Sequence, residues 1–523
     1  MTRKFSLKLL LTLFCTLPFL LAGANAADKP NILVIMADDV GWASLGSYHQ
    51  GVKSIETPNL DKLASQGVRL TDYYAQPSCT AGRSAFLTGQ LPVRTGMHTV
   101  GLPGEKKGLH EDDPTLAGLL REMGYTTGQF GKNHLGDLNE FLPTNRGFDE
   151  YWGWLYHLNA MEYTVDPDWP DDPEFENRYG PRNIIHSFAT DSDSGLVDER
   201  WGPVGKQRIK DDGPAPPERQ KTLEDEVTAY TLDFINRAVK KDKPFFVWMA
   251  PARAHVWTHF SPEYEAQLGN GKGMQDIIMK ELDDNIGKVL AEIDRLDIAD
   301  DTIVVFTSDN GPETLTWPDG GTTPFHGEKG TTWEGGFRVP AIARWPGHFP
   351  EGKVYNGIFD GMDWLPTLVA AAGGPEDLPA RLLEGYQGKR VHLDGYNQLS
   401  FLKGQTGSNR EEIFYYAGST LQAVRHGDWK AHFIVQNHGW AGPKEPLNAP
   451  LLFNLRRDPY EKAAEESGMY TRWMGNKMWA FGPAKNLVVE HMATLQAFPP
   501  RDAPASDQTH AGQQAGEDNG LAQ

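Results

Sequence analysis

Asn31-Ile32-Leu33-Val34-Ile35-Met36-Ala37 is an apolar run behind a single asparagine, and it stops abruptly at Asp38-Asp39. The same design recurs three times. Residues 125–130 run into Gly131-Lys132-Asn133-His134, residues 244–249 run into a loop carrying Arg253 and His255, and residues 302–307 run into Ser308-Asp309-Asn310-Gly311. Runs that are apolar at every position belong to strands buried on both faces, the condition of a strand inside a parallel sheet. Helical periodicity alternates with them. Residues 116–123 form one predicted helix, and 274–296 a longer one with Ile278, Leu282, Ile286, Val289, Ile293 and Leu296 on one face. The fold class predicted is therefore α/β, a large, mostly parallel mixed sheet sandwiched between helices. In open sheets of this kind ligands bind beyond the carboxyl ends of the strands, so all four polar clusters are expected to meet at one site.

After Trp364-Leu365-Pro366-Thr367-Leu368, which reads as a helix start, the pattern changes. Short strands are predicted at 413–417, 421–425, 429–434 and 451–455, implying a smaller C-terminal subdomain of antiparallel strands plus helix. The expected organisation is a signal segment at 1–26, a catalytic domain at 27–410, the antiparallel subdomain at 411–500 and a disordered tail at 501–523, where large apolar side chains almost vanish. The 55 glycines and 36 prolines fit many loops on a rigid scaffold.

Arg3, Lys4 and Lys8 flank an apolar run at 9–21, and Ala24-Asn25-Ala26 supplies a small-x-small cleavage pattern. The run is shorter than the ~20 apolar residues a spanning helix needs. It reads as a cleaved secretory signal, with export through the secretion machinery to the periplasm or medium and no stable membrane insertion. Cleavage takes the net charge from −20 to −23, a surface that a phosphate backbone repels, so no nucleic-acid partner is expected. Of two cysteines, Cys15 leaves with the signal and Cys79 remains. A lone thiol in an oxidising compartment is a liability, and its small, polar neighbours do not suit a core cysteine. Cys79 is read as present for chemistry.

Taken singly, Asp38-Asp39 reads as a helix N-cap and Asp309-Asn310-Gly311 as a turn. Both pairs at strand ends point instead to a hard divalent cation, Ca²⁺ or Mg²⁺, held by oxygen. A nucleotide-cradling loop fails around Lys132, because Thr126 stands where its first glycine belongs and Asn133 where Ser or Thr should follow the lysine.

Cys79-Thr80-Ala81-Gly82-Arg83, followed by Ser84-Ala85-Phe86-Leu87-Thr88-Gly89, resembles the signature of the type I sulfatases, the arylsulfatase-like enzymes of the alkaline phosphatase superfamily. Asp38-Asp39-Val40-Gly41, Gly131 to Gly136, Ser308 to Gly311, Lys329, Glu334 to Pro340 and Asp458-Pro459-Tyr460-Glu461 resemble further family motifs in the same order, over residues 30 to about 465. Ala81, Asn133 and His326 depart from the commoner Pro, Trp and Arg.

The resemblance implies a sulfuric ester hydrolase in which Cys79 is oxidised to formylglycine by a formylglycine-generating or sulfatase-maturing enzyme. It implies Ca²⁺, with Mg²⁺ possible, on Asp38, Asp39, residue 79, Asp309 and Asn310. The aldehyde would hydrate to a diol, one hydroxyl attacking sulfur and the other later expelling sulfate. A helix opening at Ser78 would favour an anion beside residue 79. Arg83 would bind the diol and hold the loop, and Lys132 and Lys329 would neutralise the sulfuryl oxygens. His134 would accept a proton and His255 would protonate the leaving oxygen, with Lys132, His255 and Lys329 contacting substrate. The substrate expected is an aryl or carbohydrate sulfate. Alternatives are a formylglycine-dependent phosphonate or phosphate ester hydrolase and, from another class, a non-catalytic sulfated-glycan binder. Tyr151, Trp152, Trp154, Tyr156, Tyr163 and Trp169 could stack on substrate or merely pin a long loop. Trp257 and His259 are better placed for a pocket mouth.

Overall fold

The computed structural model describes residues 29–501 other than Val100. The predicted signal segment lies outside the described residues, as does the predicted tail beyond Arg501, whose guanidinium pairs with Asp113 at 2.8 Å.

Thr302–Ser308, Asn31–Ala37, Phe245–Ala250, Thr126–Gly131 and Glu150–Gly153 lie side by side and parallel at the centre of a ten-stranded sheet. The apolar runs explain this. Leu33 and Ile35 enter one hydrophobic core and Ile32 and Val34 the other, all fully buried, so every position of the strand has a dry partner. Each such side chain contributes roughly 1.5–3 kcal/mol on burial. Helices Leu223–Lys240 and Met274–Arg295 cover the first core through residues such as Val227, Phe234, Ile278 and Leu282. Cys79–Thr88, Leu116–Glu122 and Trp364–Ala371 cover the second through Phe86, Leu120 and Leu368. Parallel pairing brings all the carboxyl ends to one edge.

The sheet is mixed because short strands extend it on both sides. Ala341–Arg344 pairs antiparallel with Thr302–Ser308, and Ile185–Ala189 antiparallel with Glu150–Gly153. These strands are four and five residues long, too short for a periodicity to register. One of them changes the reading of the aromatic stretch. Tyr151 and Trp152 belong to the strand Glu150–Gly153, with Trp152 stacked on Tyr230 at 4.5 Å, and Trp154 and Tyr156 are buried too. Those four rings are core. Tyr163 and Trp169 are only partly buried.

The C-terminal sheet is antiparallel throughout, in the order Glu412–Ala417, Thr420–His426, Trp429–Gln436, Lys444–Asn454. Its last strand starts at Lys444, seven residues before the predicted 451, because the polar stretch from Lys444 still pairs with Ile434–Gln436 beyond a register shift. Helix Phe481–Ala497 packs on this sheet through Ala484, Leu487 and Val488.

Candidate active site

Every polar cluster predicted at a strand end arrives at the same edge of the sheet. Asp38 and Asp39 follow Asn31–Ala37, and Asp309 and Asn310 follow Thr302–Ser308, its parallel neighbour. Asp38, Asp39, Cys79 and Asp309 each bring one ligand atom within 4.8 Å of the others. Cys79 is buried at the first position of helix Cys79–Thr88. The hydroxyl of Ser78 makes no capping bond, so first-turn N–H groups remain for another acceptor. Gly82 must be glycine: a Cβ there would lie 1.9 Å from the Asp309 carbonyl oxygen. That approach presses the helix start onto the Asp309 loop.

Cations interleave with the acids. Lys132 Nζ donates to Asp38 Oδ2 at 2.5 Å, Lys329 Nζ to Asp39 Oδ2 at 2.8 Å, and Arg83 Nε to Asp309 Oδ2 at 2.8 Å. Arg83 also donates to the Lys132 carbonyl at 3.0 Å, so it braces two loops at once. Burial alone would raise the Asp38 carboxyl, but Lys132, Arg83 and Lys329 outweigh it and hold it well below its ordinary value. Asp39 and Asp309 are less well compensated. Burial, together with repulsion from Asp38, pushes them up to about 6 and about 7.

His134 and His255 are both buried. The two ring nitrogens of His134 have no partner, and burial followed by Lys132 holds the ring neutral, well below the ordinary histidine range. His134 sits at a φ of 58°, a left-handed backbone uncommon outside glycine. His255 pairs its Nδ1 with the Val256 carbonyl, which places the proton there and turns the Nε2 lone pair toward Lys329 Nζ, 3.4 Å away. Burial, then Lys329 and Lys132, keep it neutral as well.

The Sulfatase family model matches residues 30–374, and the model for the C-terminal region of aryl-sulfatase matches 408–501. Arylsulfatase A of Homo sapiens is 37% identical over 465 residues, covering 84% of each chain. N-acetylgalactosamine-6-sulfatase of Canis lupus familiaris is 33% identical over 480 residues, covering 84% of this chain and 83% of that one. The crystal structure of PsFucS1 sulfatase from Pseudoalteromonas sp. matches with a TM-score of 0.77 at 30% identity, covering 91% of this chain and 92% of that chain. The chain belongs to the sulfatase family. It is a sulfuric ester hydrolase.

The donor set of this sulfatase fits a hard divalent cation. Asp38 Oδ1 and Asn310 Oδ1 are buried without a hydrogen-bond partner, the latter because the Asn310 amide donates to Asp39 at 2.6 Å and turns its oxygen inward. Three crowded carboxylates, Asp38, Asp39 and Asp309, face Arg83, Lys132 and Lys329. A divalent cation added to that balance leaves a surplus of about two positive charges for an anionic ester.

Two of the positions that depart from the motifs the sequence resembles make contacts within the protein. His326 stacks on Trp333 at 4.0 Å, with Nδ1 3.3 Å from the Glu461 carbonyl. The Asn133 carbonyl oxygen accepts from Gln129 at 3.1 Å. His259 is taken up by Glu162 at 2.7 Å, whereas Trp257 is 49% exposed beside His255.

One residue of the pocket escaped the sequence reading. His157 stacks on His134, centroids 5.9 Å apart, and lies 6.5 Å from His255. Its Nε2 meets the Tyr163 hydroxyl at 3.1 Å, while Nδ1 is buried and unpartnered. Burial, then Lys132 and Lys329, lowers it to about 3. The only signal in the sequence is a histidine directly after a buried aromatic run.

Proposed function

We propose that this sulfatase is exported, carries formylglycine at position 79 and cleaves an aryl or carbohydrate sulfate with the help of Ca²⁺. The observation that carries the reading is the convergence of Cys79 with Asp38, Asp39 and Asp309 at a helix start, ringed by three cations. When bound, the cation and the matured residue 79 supply Lewis acidity and an oxygen nucleophile.

The remaining work falls to the chain's own side chains. Lys132 and Lys329, which here pair with Asp38 and Asp39, would hold the sulfuryl oxygens, with Asp38, Asp39, Asp309 and Asn310 as the residues that would hold the cation. Arg83 fixes Asp309 and the Lys132 carbonyl and so keeps the nucleophile's helix in register with the metal loop. His134, neutral and with free ring nitrogens, accepts the proton released at residue 79. His255 faces Lys329 through an unprotonated Nε2, so the proton for the leaving oxygen comes from the Lys329–His255 pair. His157, its Nε2 engaged by Tyr163, offers a neutral N–H to a substrate oxygen.

Export is supported by the signal-like leader, and among the described residues no helix is long and apolar enough to cross a membrane. A maturation enzyme and the secretion machinery are the partners this route requires. The sulfatase relatives favour sulfate over the phosphonate alternative, and the reactive side chains at every chemical position disfavour a mere glycan binder.

The test is the mass of the tryptic peptide 70–83 from protein made in a host that matures sulfatases. Replacement of the thiol by an aldehyde, together with turnover of an aryl sulfate, is the expected result. An intact thiol in a fully active sample would refute the formylglycine reading. Faster cleavage of a phenylphosphonate ester than of the sulfate would move the proposal to the alternative.

A further inference from the structure

The connection between the C-terminal strands Trp429–Gln436 and Lys444–Asn454 doubles back onto the loops of the catalytic sheet. Trp440 makes the contact. Its Nε1–H donates to Glu313 Oε1 at 3.0 Å, and its backbone and Cβ lie against Gly330, where an added Cβ would come within 2.4 Å of Trp440 Cβ. The connection is itself tied down. Gln436 donates to the carbonyls of Gly439 and Trp440 at 2.9 and 3.2 Å, and Trp333 Nε1 donates to Asn437 Oδ1 at 3.1 Å.

Its footing is the catalytic machinery. Gly330 follows Lys329, and Glu313 follows Pro312, whose carbonyl accepts the Lys329 backbone N–H at 3.0 Å. Trp440 therefore stands on the two segments that carry Asp309–Asn310 and Lys329. Yet the residue is 62% exposed, and neighbouring Leu315, whose side chain packs on Gly439, is 49% exposed. Trp257 is 49% exposed two residues beyond His255, whose Nε2 approaches Lys329 Nζ.

Burial is what makes a large aromatic stabilising. Trp440 has the opposite arrangement: its polar edge is satisfied and its orientation fixed, while much of its surface is left to solvent. We propose that Trp440, with Glu313 beside it, is the platform for the leaving group, and that this leaving group is a pyranose ring of a sulfated carbohydrate. The inference rests on the sulfatase reading of the site and narrows its substrate class. A pyranose has an apolar C–H face that packs on an indole and a rim of hydroxyls that donate to a carboxylate. Glu313 has a second oxygen, Oε2, beyond the one that Trp440 uses. A bare aryl group would use the indole but not the carboxylate.

The experiment compares kcat/KM of the matured full-length enzyme on 4-nitrophenyl sulfate and on a panel of pyranose sulfates that varies the sugar and the sulfated position. Trp440→Ala is expected to shift the ratio of sugar to aryl kcat/KM by tenfold or more, mainly through KM for the sugar. Trp440→Phe is expected to restore the ratio to within threefold. Thermal unfolding of both variants controls for loosening of the connection, which would depress the two substrates together. An unchanged ratio in Trp440→Ala overturns the platform. A wild type that cleaves the aryl sulfate and no pyranose sulfate overturns the substrate class while leaving the sulfatase reading intact. A wild type that cleaves neither overturns the reading of the site and this inference with it.

Discussion

Two clusters of charge are equally dry in this protein and are built on opposite terms. At the junction with the C-terminal sheet, Glu334 accepts from Tyr415, Lys430 and Tyr74 at 2.7, 3.1 and 2.6 Å. Glu461 accepts from His432 and the Glu334 backbone at 2.8 and 2.7 Å and pairs with Lys430 at 2.9 Å, while Asp72 is shared by Arg338, Arg425 and Arg456. Burial would raise Glu334, but Lys430, Arg338 and Arg425 hold it down to about 2. In the catalytic pit burial is as complete, yet Asp39 and Asp309 rise to about 6 and about 7, and Asp38, Asn310 and His134 keep atoms with no partner. A filled partner shell makes buried charge structural, whereas an unfilled one leaves capacity for a cation and an anion.

The largest effect separating the two clusters should come from Cys79→Ala. Turnover is expected to fall by about 10⁴-fold or more, with the thermal midpoint held within about 2 °C. Comparable turnover in the mutant would dissolve the contrast. Glu334→Gln should do the reverse, lowering stability in urea by about 3–5 kcal/mol because Lys430 loses a buried counter-charge. A loss under about 1 kcal/mol would mean the junction is not a satisfied network.

The same substitution tests the sign of the pH dependence. The Glu334 carboxyl titrates lower when folded than when unfolded, so its stabilisation is present above about 4.5 and disappears as pH falls toward about 2. Glu334→Gln should flatten that acid limb in urea titrations at stepped pH. An acid limb as steep as the wild type's would assign it to other carboxylates.

Cation linkage sharpens the comparison from the other side. Ca²⁺ at a hundred times its Kd should stabilise the wild type by about 2.7 kcal/mol in calorimetry. Asp39→Asn should lose that increment and Glu334→Gln should keep it; an increment retained in Asp39→Asn would remove the ion from the pit. The smallest effect expected is from His157→Phe, which preserves the ring stack but deletes the donor. It should lower kcat/KM about tenfold, the scale of one hydrogen bond to a charged group, with unfolding unchanged. No kinetic change would make His157 a packing residue.

Much of this site was legible before any coordinates. Asp38-Asp39, His255 and Asp309-Asn310 each follow an apolar run, and a run buried on both faces is an inner strand of a layered sheet, whereas the strand before Lys132 and His134 interleaves Thr126, Thr127 and Gln129. His157 was not legible, because its partners His134, Tyr163 and His255 meet it only across folded loops. Trp440 was equally silent. Its meaning lies in Glu313 and Gly330, more than a hundred residues earlier in the chain. The aromatic stretch misled for a related reason, since Tyr151 and Trp152 look like loop rings until the strand Glu150–Gly153 joins the sheet.

The sequence by itself determined the α/β class and the donor types at the strand ends, because local periodicity and side-chain chemistry travel with the chain. Only the tertiary structure decided which charges are answered and which are left open. The pKa of Asp309 and the free nitrogens of His134 depend on how many partners reach a buried atom, and that number is set by packing between segments far apart in sequence.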